Sequence, residues 1–239
     1  MKFLKRIYVS VFGLKNYFLT VSRLFFIFYR TGLLRSNKNF DCHYYIKNLI
    51  REGDHVIDIG ANFGYYTVLF SDLVKSGKVY AVEPVQLYRD VLQKNIGHRN
   101  NVEIFPFALG DENKESIQMG IPGNDISRHG LTKIINEKET QAKTFSVAMR
   151  NPLELFSGIE KINYIKCDVE GYEMHIIPII LPLIQKHRPI IQIETGGENK
   201  IKIISLLENA GYKTYYVVGK NLIPLASPSQ DHFGDLIFK

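Results

Sequence analysis

Two carboxylates at the ends of successive apolar runs are the first residues in this chain that could do chemistry. Val56-Ile57-Asp58-Ile59 leads into the turn Gly60-Ala61-Asn62-Phe63-Gly64, and Val79-Tyr80-Ala81-Val82 leads into Glu83-Pro84. A strand, a glycine-bearing turn, a helix-like segment and a second strand ending in an acid make a nucleoside-binding β-α-β unit. A dinucleotide site wants G-x-G-x-x-G, whose second glycine lets the backbone approach a pyrophosphate. Here Asn62 occupies that place between Gly60 and Gly64, which compromises the approach. Asp58 adds a negative charge that suits an ammonium or a sulfonium better than a phosphate. Glu83, nineteen residues past Gly64, can accept hydrogen bonds from both ribose hydroxyls. Together these features favour S-adenosylmethionine over NAD. The glycines alone would need no ligand, because positive φ or close strand–helix packing also calls for them. The two carboxylates around the turn carry the nucleoside reading.

A second constellation lies at Tyr164-Ile165-Lys166-Cys167-Asp168-Val169-Glu170-Gly171-Tyr172-Glu173. It follows a strand and opens a helix, so Asp168 and Glu170 fall at the carboxyl edge of the sheet, where open α/β folds bind ligands. Lys166, Asp168, Glu170 and Glu173 put four charges in eight positions, which packing does not explain. Singly, each has a plainer account: Glu173 favours a helix N-terminus, and Lys166 could be solvated. Cys167 is expected to fill the strand core, since nothing beside it would lower a thiol pKa.

The elements that must position these groups follow from hydrophobic periodicity. Strands are predicted at 55–59, 79–82, 102–107, 162–167, 190–194, 213–218 and 235–238, and helices at 64–75, 85–96, 152–157, 171–186 and 200–210. A short helix is predicted over Cys42 to Ile50. Near-continuous apolar strands alternating with helices predict a mostly parallel α/β sheet covered on both faces. The last two strands are joined without a helix, through Gly219, Pro224 and Pro228, which predicts an antiparallel ending. Residues 111–150 break the rhythm, with short strands at Ser116–Met119 and Lys143–Val147 around a polar, turn-rich stretch. That stretch, 120–142, is taken as the substrate-facing loop.

A chain of 239 residues with 45% hydrophobic and 23% charged content can bury one sizeable core, and wholesale disorder is excluded. Two cysteines, Cys42 and Cys167, make neither a disulfide framework nor a zinc site, which fits a reducing, cytoplasmic setting. Residues 1–40 hold eight Lys and Arg and no acid, so of a total of +6 the remaining chain carries −2. The basic balance belongs to an N-terminal arm, which argues against a nucleic-acid footprint on the body. In that arm Leu4, Ile7, Val11, Leu14, Phe18, Val21, Phe25 and Phe28 recur at helical steps, with Lys5, Asn16, Arg23 and Arg30 roughly opposite. Its longest uncharged run is the eight residues 7–14, far short of the ~20 needed to span a bilayer. Lys15 and the lack of a small-residue cleavage site argue against a signal peptide. Two readings stay open: a peripheral contact with the inner face of a membrane, or helices packed on the domain or on a second copy as a homo-oligomer.

On the residues Asp58 to Tyr65, Val82-Glu83-Pro84, Ile165 to Glu173, and Arg188-Pro189 ahead of a strand ending in Glu194, the chain resembles the FkbM-type S-adenosylmethionine-dependent methyltransferases. The resemblance covers about residues 40–239, so the expected division is an arm over 1–40 and a methyltransferase domain over 41–239. It implies a Rossmann-like seven-stranded sheet in the order 3-2-1-4-5-7-6, with the seventh strand antiparallel. It implies methyl transfer to oxygen, on a hydroxyl of a sugar, glycan or other small acceptor. Carried over by position, Asp58, Gly60, Asn62 and Gly64 would hold the methionine end of the cofactor, Glu83 the ribose, and Ala108, in the turn after Phe107, would lie near the adenine. Asp168 and Glu170 would face the transferred methyl group and the acceptor. An alcohol is a poor nucleophile, so a base is needed. Asp168 is the first candidate, with Glu170 or His175 behind it; His43, His129 and His232 stay open. A metal-assisted variant would have Asp168, Glu170 and Glu194 converge on Mg²⁺, as catechol-type methyltransferases do by analogy. An NAD-type oxidoreductase and a catalytically silent binding protein are the competing readings.

Overall fold

Runs of Val, Ile and Tyr broken by Gly, Asn and Asp build the central sheet of the computed structural model, in keeping with the preference of β-branched and aromatic side chains for a pleated, buried surface. The structure describes residues 2–123, 131–135, 141–194, 196–232 and 234–239, with side chains described from residue 8 and not at 141 and 142. The expected loop at 120–142 therefore lies largely outside the described residues, as does His129.

In chain order the elements are α1 (Lys2–Thr31), α2 (Asp41–Tyr45), β1 (His55–Ile59), α3 (Tyr65–Val74), β2 (Lys78–Val82), α4 (Gln86–Ile96), β3 (Val102–Phe105), β4 (Ala108–Leu109), β5 (Lys114–Pro122) and β6 (Lys133–Ile134). They continue with β7 (Gln141–Arg150), α5 (Pro152–Leu155), β8 (Tyr164–Cys167), α6 (Glu173–Ile176), α7 (Leu181–His187), β9 (Ile190–Ile193), α8 (Gly197–Asn209), β10 (Thr214–Val218), β11 (Asn221–Pro224) and β12 (Leu236–Phe238). Short 3-10 turns lie at Lys38–Phe40 and Ile46–Asn48.

The main sheet has eight strands in the order β11-β10-β12-β9-β8-β1-β2-β3. This corrects the seven-stranded expectation by one added edge strand, β11; the other seven, β3-β2-β1-β8-β9-β12-β10, stand in the expected order 3-2-1-4-5-7-6. The segment after Gly219, expected as plain loop, folds back on β10 as β11 and becomes the outer strand. β12 runs antiparallel to both β9 and β10, so the ending is antiparallel, while β9, β8, β1, β2 and β3 are mutually parallel. Ile57, Ile59, Ile165, Ile191 and Ile193 are each at most 1% exposed, and a fully buried aliphatic side chain contributes about 1.5–3 kcal/mol.

The irregular stretch of the sequence is a second sheet, ordered β4-β7-β5-β6. The two expected short strands extend to nine and ten residues and pair antiparallel. The predicted single helix over 171–186 is instead two short ones, α6 and α7. Pro178 lies between them, with no N–H to offer an intervening turn.

α1 is two helical segments that meet at a kink at Gly13, whose φ of 78° and ψ of 160° are not helical. Its stretch Tyr8–Thr31 is long and apolar enough to cross a membrane by length and composition, with mean hydropathy 1.3, although no uncharged run in it approaches a bilayer's thickness. One side of it packs on the domain. Phe18 is fully buried between Phe63, 4.7 Å away by ring centroid, and Tyr88 at 6.0 Å. Of the apolar face expected from the sequence, Phe18, Val21 and Phe25 turn inward, while Val11 and Phe28 stand exposed.

Candidate functional site

The turn after β1 can form only because residue 60 lacks a side chain. Gly60 has φ +83°, and a Cβ there would lie 1.8 Å from the carbonyl oxygen of Asp168, at the end of neighbouring β8. The two strand ends are thereby brought into backbone contact. Gly60 and Ala61 both donate their N–H groups to Val82 O at 3.0 Å, which ties the same turn to the end of β2. Asn62 adopts a positive φ of 49°, a conformation that asparagine tolerates better than most residues.

Glu83 closes this corner. Its two carboxylate oxygens accept from Asn62 N at 2.9 Å and Val85 N at 2.8 Å. The group is 4% exposed, and burial pushes its pKa up to about 7 against the pull of those two hydrogen bonds and of Arg89. Each oxygen keeps further acceptor capacity for a ligand. Asp58 accepts from Thr67 Oγ1 at 2.6 Å through Oδ2, while its Oδ1 and the side-chain oxygen of Asn62 are buried without a partner. Buried polar atoms left unbonded are costly, and these two border a cavity of about 890 Å³. They fit a ligand that brings donors, such as an ammonium.

A charged row crosses the apolar sheet at the cavity floor. Asp58 of β1 is in register with Lys166 of β8, and Lys166 with Gln192 of β9. Lys166 is 3% exposed, donates to Asp168 Oδ2 at 2.9 Å and lies 4.8 Å from the centroid of the Tyr66 ring. Burial alone would lower its pKa, but the charges of Asp168, Asp58 and Asp235 outweigh that and hold it above the usual lysine range. Gln192 donates to Asp235 Oδ2 and accepts from Tyr164 OH at 2.7 Å, so the row continues into a buried polar network.

The turn from β8 into α6 is held by Glu173, whose Oε1 accepts from Val169 N at 3.1 Å and Gly171 N at 3.0 Å. That is the helix-start role its sequence position suggested. Glu170 sits in this turn with φ 54°. Burial and the neighbouring charges of Asp168, Glu194 and Glu173 push its carboxyl up to about 8. The charge of Asp168, then burial, lift Glu194 to about 7.

Asp58, Gly60, Asn62, Glu83, Ala108, Lys166, Asp168, Glu170 and Glu194 all line the one cavity. Two expected residues do not. Gly64 starts α3 with φ +84°, and a Cβ there would lie 2.5 Å from Leu92, so it serves α3–α4 packing. His175 is exposed and stacked on Tyr172 at 4.1 Å, because α6 turns it away from the sheet edge. Ala108 belongs to the two-residue strand β4 rather than to a plain turn. Cys167 is fully buried, as a core residue. The Mg²⁺ expectation is also corrected: among the described residues no three His, Cys, Asp or Glu side chains are grouped to hold a metal ion.

Asp235, Tyr66 and Gln192 carry no comparable signal in the sequence: Asp235 precedes its strand instead of ending it, and only the antiparallel direction of β12 brings it to the carboxyl edge of β9. His43, one of several open candidates, is placed at the cavity wall by α2. Its ring stacks on Tyr66 at 4.0 Å, and its Nδ1 is buried without a partner. Burial and the charge of Lys166 lower its pKa to about 3, so the imidazole is neutral. His232 also lines the cavity, its pKa lowered by burial and Lys200.

The family described as Methyltransferase FkbM domain matches residues 58–214, which contain every strand-end carboxylate above except Asp235. Among solved structures, a methyltransferase FkbM from Methylobacillus flagellatus KT aligns with 14% identity and a TM-score of 0.51, over 82% of this chain and 46% of that one. This chain thus spans less than half of that protein's length. Fibrillarin from Aeropyrum pernix, with natively bound S-adenosyl-L-methionine, aligns with 14% identity over 80% of this chain and 67% of its own, TM-score 0.45. A SAM-dependent O-methyltransferase from Thermotoga maritima aligns with 16% identity over 83% of this chain and 63% of its own, TM-score 0.45. The fold likeness rests on the first of these. No curated protein matches the sequence.

Proposed function

The chain belongs to the FkbM methyltransferase family and carries the S-adenosylmethionine-dependent methyltransferase fold, and from that premise we propose that it is an O-methyltransferase acting on an uncharged hydroxyl of a sugar, glycan or other small acceptor. The observation that carries the reading is the meeting of Asp58 Oδ1 and Asn62 Oδ1, both buried and unbonded, with Glu83 in one cavity. S-adenosylmethionine, when bound, supplies the methyl group and the positive charge that this corner is built to receive.

Asp58 and Asn62 hold the methionine end, the turn at Gly60 lets the backbone come close, Glu83 takes the ribose hydroxyls, and Ala108 borders the adenine. In the lining Asp58, Glu83, Asp168, Glu170, Glu194 and Asp235 outnumber Lys38, Lys133 and Lys166, although Glu83, Glu170 and Glu194 are only partly ionised near neutral pH. This excess of acids disfavours a phosphorylated or carboxylated acceptor over a neutral hydroxyl. Asp168 accepts the hydroxyl proton as the acceptor oxygen attacks. Lys166 fixes Asp168 through Oδ2 and so sets the angle of approach.

Calorimetric titration with S-adenosylhomocysteine, with NAD as the control, tests the cofactor half. Saturable binding to the first alone is expected. Binding to NAD instead, or to neither, would overturn it. Transfer of labelled methyl to a panel of neutral and phosphorylated sugars tests the acceptor half, with label expected only in base-stable ethers of neutral sugars.

A further inference from the structure

The helix α1 has two unlike sides. Toward the domain, Phe18, Ser22 and Phe26 are buried, Lys15 pairs with Asp90 at 2.7 Å, and Asn95 donates to Ser22 at 2.8 Å. Away from it, Leu24, Ile27 and Phe28 are 44%, 53% and 40% exposed, and Leu33, just past the helix, is 67% exposed. Three- and four-residue steps place Leu24, Ile27 and Phe28 on one face, so they form a patch rather than a scatter. The charges that α1 and the segment after it carry are all positive. Exposed Arg23 and Arg30 lie beside it along the helix, Arg35 and Lys38 follow it, and residues 1–40 contain no acid.

We propose that this face of α1 lies in the plane of an anionic lipid bilayer surface. Leu24, Ile27, Phe28 and Leu33 enter the boundary between headgroups and acyl chains, and Arg23, Arg30 and Arg35 meet the lipid phosphates. The helix lies on the bilayer and does not cross it. A spanning helix would present its whole circumference to lipid, whereas one side of α1 is fastened to the domain by an ion pair, a hydrogen bond and Phe18. A second copy of the chain is the competing occupant, but a two-fold contact sets a patch against itself. Arginine would then face arginine, with no acid on the arm to receive either. Because Val21 and Phe25 of the same helix line the cavity, docking holds the cavity wall one helix diameter, about 10 Å, from the lipid surface.

The test is co-sedimentation of the full chain with vesicles of phosphatidylcholine alone and of phosphatidylcholine with phosphatidylglycerol, alongside light scattering of the lipid-free protein. Binding to the anionic vesicles is expected to be at least about tenfold tighter than to the neutral ones, and to be released by high salt. The variant Leu24→Asp/Ile27→Asp/Phe28→Asp is expected to lose binding, and Arg23→Glu/Arg30→Glu to weaken it by at least about fivefold per arginine, with both melting like the parent protein. Equal affinity for both vesicle types would overturn the proposal, as would binding that survives salt and alkaline extraction. A lipid-indifferent dimer abolished by the triple variant would give the face to a second copy. A lipid-indifferent monomer would leave it without the proposed role.

Discussion

Lys166 donates to Asp168 at 2.9 Å from a position only 3% exposed, and the same ammonium is in sheet register with Asp58 on the neighbouring strand. One buried cation therefore compensates several buried acids at the cavity floor. Removing one partner of such a group leaves uncompensated charge, which is more damaging than losing the attraction itself. Lys166→Met is expected to destabilise the fold by about 3–5 kcal/mol, a fall of roughly 6–20 °C in Tm for a chain of this size. Scanning calorimetry at neutral pH checks it. A Tm within a degree or two of the parent's would mean that water, not lysine, compensates these carboxylates.

Asp168 is the proton acceptor in the proposed reaction, and Asp168→Asn keeps its shape without its charge. We expect kcat to fall by about 10²–10⁴, with affinity for S-adenosylhomocysteine changed less than about threefold, because Asp58, Asn62 and Glu83 remain in place. Single-turnover rates with the acceptor found in the sugar panel separate the two effects. Near-parental kcat would move proton acceptance to His43, whose neutral ring lies on Tyr66 at the same wall.

Glu83 links the ends of β1 and β2 through its hydrogen bonds with Asn62 and Val85, and it faces the ribose in the proposed complex. Glu83→Ala should weaken S-adenosylhomocysteine binding by about 1.5–3 kcal/mol, the worth of hydrogen bonds to a charged group. Titration calorimetry reads the change directly. An unaltered affinity would remove Glu83 from the ribose site and leave it a purely structural link between two turns.

Gly60 is the most constrained backbone position at the site. Gly60→Ala forces a side chain into the carbonyl of Asp168 and into a φ that alanine rarely adopts. The β1 turn and the β8 end must separate, so both stability and cofactor binding should be lost together. The expected drop exceeds about 3 kcal/mol in urea unfolding. Binding retained at parental affinity would mean that the turn can shift without disturbing the cavity.

What the sequence makes legible here is whatever depends on neighbours along the chain. Asp58, Gly60, Asn62 and Glu83 stand out because the strand–turn–helix grammar puts glycine and acid at fixed offsets, and all four line the cavity. Gly64 and His175 are expected there too, but Gly64 leaves room for Leu92 at the start of α3, and α6 turns His175 onto Tyr172. Gln192, Tyr66 and Asp235 meet only through pairings across β9, β12 and α3, which no local spacing records. The extra strand β11 was hidden for a related reason. Asn221 to Pro224 is short and ends in proline, and only pairing with β10 makes it a strand. Proline is tolerated there because the strand is at the edge of the sheet.

Glu170 offers a test of the site's electrostatics that does not depend on catalysis. In the unfolded chain its carboxyl ionises near 4.5, while burial and the charges of Asp168, Glu194 and Glu173 raise it to about 8 in the fold. The folded state therefore binds more protons than the unfolded state between these values, and stability must fall as pH rises through that window. The contribution is fully present below pH 4.5 and lost above about 8. Glu170→Gln removes the ionisation and keeps the size and the positive φ of the residue. The variant should match the parent's Tm near pH 4, exceed it progressively as pH rises, and hold a constant lead of a few degrees above about pH 9. Glu194 and Glu170 act on each other, so the difference between the two curves reads the ionisation of Glu170 together with its effect on Glu194. Parallel curves across the whole range would mean that Glu170 ionises alike in the folded and the unfolded chain, and would take it out of the acidic cluster beside Asp168.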